Sequence, residues 1–119
     1  MRTLVVCTFA LAALATPALA DFYPVQGRWG AGQPSKQPVD CSNLRVIAFN
    51  GNQRTDSRGG VPAYRNVSVT AAAGGSRVVD EFHTGQIRAR ATFTLRQVDS
   101  NNVEMDLQPG GLLKLQRCK

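Results

Sequence analysis

From Ile87 to Leu107 the chain alternates between apolar and polar residues. Ile87, Ala89, Ala91, Phe93 and Leu95 fall on one face of an extended segment, and Arg88, Arg90, Thr92, Thr94 and Arg96 fall on the other. A period of two marks a half-buried strand. After Asp99-Ser100-Asn101-Asn102 the alternation resumes through Val103, Glu104, Met105, Asp106 and Leu107, so the two runs predict a hairpin. Opposed residues share a face. Pairing Leu95 with Met105 and Phe93 with Leu107 satisfies this and sets Arg96 opposite Glu104 on the wet side.

The same reading extends along the chain. Asp21–Pro38 holds Phe22, Tyr23 and Trp29 among glycines and prolines, which prevents a long helix. The aromatics are expected to anchor one end of a sheet, with Gly30–Asp40 running as a loop. Val46-Ile47-Ala48-Phe49 predicts a strand covered on both faces or lying within a barrel wall. The following Asn50-Gly51 is a hairpin signal, since both residues tolerate positive φ. Gln53–Gly60 contains no apolar residue and predicts an excursion from the body. Tyr64–Thr70, Val78–Phe82 and Leu112–Cys118 predict further strands, separated by turns at Ala71–Gly75, Gly85 and Pro109-Gly110-Gly111. The expected fold class is all-β, a small antiparallel barrel or sandwich of roughly six to eight short strands.

Residues 1–20 have the layout of a secretory leader: Arg2, an apolar run from Leu4 to Ala15, and Ala18-Leu19-Ala20 as the cleavage site. The apolar run falls short of the roughly 20 residues that cross a bilayer, so no transmembrane span is expected in the mature chain. Removing the leader after Ala20 takes Cys7 with it and leaves residues 21–119 as one domain in the periplasm or outside the cell. Cys41 and Cys118 remain, and an exported chain with two cysteines is expected to bridge them.

Without Arg2, 13 basic residues face 8 acidic ones, and ten of the 13 are arginine. The charge reads first as a solubility device, since acids are interspersed with the bases; any acidic partner it serves would be an anionic envelope component, an acidic protein surface or a small anion rather than nucleic acid. No aromatics interleave with the arginine stripe to stack bases. The single histidine, His83, leaves too few ligands for a metal site and only one base for a serine nucleophile, with no Gly-x-Ser-x-Gly elbow. Asp80 and Glu81 are adjacent, so they point to opposite faces of a strand and cannot act as a carboxylate pair. The chain reads as a monomeric, non-enzymatic binding module without a cofactor. Its candidate binding loop carries Arg54, Asp56 and Arg58, whose guanidinium groups suit carboxylate or phosphate.

At Gly27-Arg28-Trp29 the sequence resembles the opening of calycin-type barrels, which include lipocalins, avidins and small periplasmic inhibitors of secreted metalloproteases. The resemblance implies that a basic residue of the last strand, here Arg117, packs across Trp29 and closes one barrel end. It also implies two functions: inhibition of a secreted protease, with Asp21–Gln26 entering its cleft, or carriage of a small ligand. Inhibition of an extracytoplasmic hydrolase, protease or lysozyme, through that segment or the Arg54–Arg58 loop is an alternative to the plain binding module. The loop Gly30–Asp40 departs from the pattern, where a continuous strand follows the tryptophan.

Overall fold

The computed structural model describes residues 22–107 and 109–119; the expected leader and its cleavage site lie outside them. The fold is all-β, with strands β1 (Gly27–Ala31), β2 (Val46–Asn50), β3 (Gln53–Asp56), β4 (Tyr64–Ala72), β5 (Gly75–Thr84), β6 (Ile87–Asp99), β7 (Asn102–Leu107) and β8 (Gly111–Arg117). Each pairs antiparallel with the next, and β8 pairs with β1. The sheet is therefore a closed up-and-down barrel and not a sandwich, an architecture shared by calycin-type barrels generally.

An eight-stranded barrel is just wide enough for its own side chains to fill it, and here they do. Trp29, Ile47, Phe49, Val78, Phe93, Leu95, Val103, Met105 and Leu115 form one buried cluster. The β6–β7 hairpin supplies four of them. Its register is the one that parity dictates, with Leu95 opposite Met105, Phe93 opposite Leu107 and Arg96 opposite Glu104. The last pair is an ion pair at 2.6 Å.

Three segments differ from expectation. The first half of the excursion predicted for Gln53–Gly60 is instead strand β3, because the β2–β3 turn is only Gly51-Asn52, with Asn50 opposite Gln53. Gly51 takes φ 65° there, so the turn sits one residue beyond the Asn-Gly start. Such a short turn places Arg54 opposite the core residue Phe49 and so points it into the barrel.

The loop after β1 is a belt around the outside of the wall. Its Ser35 and Lys36 backbone groups bond the Asn102 and Asn101 side chains, and Val39 bridges to Cys118. The belt then passes over Gly30, where a β-carbon would lie 2.6 Å from the Cys41 sulfur. It also covers Gln116, an outward-facing residue that is nevertheless buried.

The segment before β1 tucks inward. Tyr23 and Val25 belong to the core, while Phe22 stays exposed and so does not serve as the anchor predicted for it. Gln26 pins the segment by exchanging hydrogen bonds with the backbone of Gly51.

In β4 the alternation is interrupted between Asn66 and Ser68. Val67 is the extra residue of a bulge, which switches the buried positions from Asn66 on one side to Val69 on the other.

Candidate functional site

The two ends of the barrel are built differently. At the end formed by the β2–β3, β4–β5 and β6–β7 turns, Trp29 lies directly opposite Arg117 across the β1–β8 seam. The guanidinium carbon stands 4.4 Å from the indole centre, a stacking geometry that contributes roughly 0.5–2 kcal/mol. Arg117 Nε donates to the Ser100 carbonyl and Trp29 Nε1 to that of Gln26. The nearby disulfide between Cys41 and Cys118 ties the belt to the end of β8. This end is filled.

The opposite end opens into a mouth of about 450 Å3, lined by Arg45, Arg54, Arg58, Arg90, Tyr64, Phe82 and Leu107 among others. Four arginines meet there. Arg54 forms the floor: its side chain is 3% exposed, and its Nε lies 2.7 Å from Asp80, which is wholly buried. Its guanidinium is held between two rings, 3.8 Å from the Tyr64 centre and 4.8 Å from the Phe93 centre. Asn66 donates to Asp80 from the adjacent strand.

A buried ion pair of this kind survives only where partners satisfy it. The barrel supplies them by opposing Arg54 to Tyr64 and Asn66 to Asp80 across two seams. Tyr23 completes the cluster. Its hydroxyl lies close to the Asp80 carboxylate and the Arg54 guanidinium but forms no well-aligned hydrogen bond with either. Burial first, and then the Asp80 charge, pushes its ionisation far above the usual range, with Arg54 pulling partly back.

Arg45 and Asp56 form the rim. Arg45 grips Asp56 through two bonds of 3.0 and 2.7 Å. Burial opposes ionisation of Asp56, but the Arg45 bonds and the Arg58 backbone N–H outweigh it and hold the carboxyl below its usual range. That carboxylate is committed to structure, and Arg58 and Arg90 stand exposed beside it. The mouth thus has an excess of positive charge.

No protein family, curated protein or solved structure matches the chain. What the site does is therefore argued from its own chemistry.

The structure separates the three residues that the sequence groups as a binding loop. Arg54 is interior, Asp56 is locked to Arg45, and Arg58 alone projects from the β3–β4 turn. The sequence reading missed Asp80, Tyr64 and Arg45. A signal for Asp80 existed: it shares parity with Val78 and Phe82, so a strand that buries those two buries the carboxylate as well. Glu81, on the other face, stands 3.7 Å from Arg65 and from Arg88.

Proposed function

We propose that this chain is an exported, non-enzymatic binding module that takes an anionic group, a carboxylate or phosphate, into the arginine-lined barrel mouth. The observation that carries this reading is the convergence of Arg45, Arg54, Arg58 and Arg90 on one opening, where Asp56 engages Arg45 and Asp80 engages Arg54, so that Arg58 and Arg90 are the charge in excess. Arg54 is clamped by two rings and a carboxylate, so it holds its position without further ordering. Arg58 and Arg90 are the exposed rim that meets the ligand.

The geometry favours this over the two functions implied by the calycin resemblance. An inhibitor of an extracytoplasmic hydrolase that works through a free amino-terminal arm needs Asp21–Gln26 outside, whereas Tyr23 and Val25 are core residues. A carrier of apolar ligands needs an empty interior, whereas Trp29, Phe49, Phe93 and Met105 fill it.

The test is a titration of the oxidised domain with inorganic phosphate and with citrate, followed by NMR of the arginine Nε–H and backbone amides. Shifts are expected at Arg58, Tyr64 and Arg90. The Arg58→Ala/Arg90→Ala variant should bind about tenfold or more weakly, as the loss of one or two charge-assisted contacts implies. Shifts confined to other surfaces, or none at about 10 mM anion, far above useful affinity, would reject the reading.

A further inference from the structure

Strands β5 and β6 outgrow their neighbours. Their pairing runs from Ser76 opposite Leu95 to Thr84 opposite Ile87, while β7 reaches only as far as Leu107, opposite Phe93. The reason lies in the sequence after Leu107: Pro109 has no N–H to give to a ladder, and Gly110 and Gly111, with φ of 138° and 86°, turn the chain back into β8. Among the described residues no strand and no other backbone hydrogen bond covers Ile87–Arg90 on the side that β7 vacates. Every second residue there aims its N–H and C=O at solvent.

The side chains along this edge are patterned. On the inner face Ile87 is 65% exposed and continues through Ala89 to the mouth. On the outer face Arg88 and Arg90 stand exposed, and with Arg65 they outnumber the one acid among them, Glu81, which lies 3.7 Å from both Arg65 and Arg88. A second copy of the chain does not suit this edge. Antiparallel pairing of two such strands would set arginine against arginine on one face.

We propose that the Ile87–Arg90 edge accepts an extended segment of a partner protein as an added strand, continuing the line of β7. That segment carries acidic residues opposite Arg88 and Arg90 and small apolar residues opposite Ile87 and Ala89. Main-chain bonds hold it, and the alternation selects it. Arg90 borders both this edge and the mouth, so the proposal rests on the binding-module reading and names the partner as a protein.

The experiment uses the full mature domain and fluorescein-labelled synthetic peptides alternating glutamate with valine, read by fluorescence anisotropy. Two further peptides of the same sequence carry N-methyl groups at alternate residues, one in each phase. A block peptide holds the glutamates and valines apart. Strand addition is expected to show as binding by the alternating peptide, with a tenfold or greater loss for one N-methylated phase and little loss for the other. The block peptide should bind at least tenfold more weakly.

Equal binding by both N-methylated phases would mean attraction by charge alone and would overturn the proposal while leaving an anion-binding mouth intact. No binding of the alternating peptide would overturn it too. So would dimerisation of the domain without peptide in light scattering, provided Arg88→Glu alters it, since that assigns the edge to a second copy. Phosphate and citrate shifts at Arg58 report on the mouth separately.

Discussion

Arg54 and Asp80 show how a charge becomes tolerable inside a barrel this small. Both side chains are at most 3% exposed, and each has the other as its partner 2.7 Å away. Removing one partner leaves the other stranded, at a cost of roughly 3–5 kcal/mol. Replacing both with apolar residues of similar size avoids that cost. Asp80→Asn is therefore expected to lower urea-denaturation stability by about 3 kcal/mol or more, while Arg54→Met/Asp80→Leu recovers to within about 2 kcal/mol of the parent. A double variant as unstable as the sum of the single ones would show that the two residues act independently. Arginine in a wholly polar stretch reads as surface. Only the length of the Gly51-Asn52 turn, which fixes parity against Phe49, reveals that it is not.

Among the elements, the segment before β1 is the one whose seat local signals leave most open. Glycine and proline rule out a helix there but do not say where the aromatics go, and the structure seats Tyr23 edge-on against Phe49, with ring centres 4.9 Å apart. The Tyr23 hydroxyl lies near Asp80 and Arg54 without a well-aligned hydrogen bond, and a buried hydroxyl left unpaired costs roughly 1–3 kcal/mol. Tyr23→Phe is thus expected to match or exceed the parent in stability at neutral pH.

Alkali should separate the two proteins. The folded state raises the ionisation of Tyr23 above the value of about 10 that it has when unfolded. The native state therefore holds the proton more tightly, and that contribution is complete below pH about 10 and drains away as pH rises further. Above pH about 10 the parent should lose stability relative to Tyr23→Phe, by up to about 1.4 kcal/mol per pH unit. Parallel melting curves for the two proteins from pH 7 to 11.5 would contradict this. The β6–β7 hairpin is the opposite case: the pairing that parity selects is the one observed, and a bulge at Val98, between Gln97 and Asp99, brings the short turn into line with it.

At the scale of the whole molecule, closure depends on joining the chain's two ends. The bond between Cys41 and Cys118 spans 77 positions and fastens the belt beside the β1–β8 seam. In the chain-entropy model a loop this long contributes roughly 4.5 kcal/mol, a large share of the roughly 5–15 kcal/mol that holds a domain together. Reduction, or Cys41→Ser/Cys118→Ser, is expected to cost about 2–5 kcal/mol and to lower the melting temperature by at least about 10 °C. An unchanged melting temperature in the reduced protein would show that β1–β8 pairing and the packing of Trp29 close the barrel unaided.

The sequence by itself determined the class of fold, the faces of β6 and β7 and their register, because alternation is a local property that backbone geometry converts directly into inside and outside. It also set where β7 stops, since proline and two glycines act on their own segment of backbone. Only the tertiary structure decided that the sheet closes, that the belt buries Gly30 and Gln116, and that Tyr23 enters the core. It alone brought Arg45, Arg54, Arg58 and Arg90 to one opening, because these residues lie on separate strands and turns, and their convergence depends on how the strands wrap around the barrel, which no local pattern encodes.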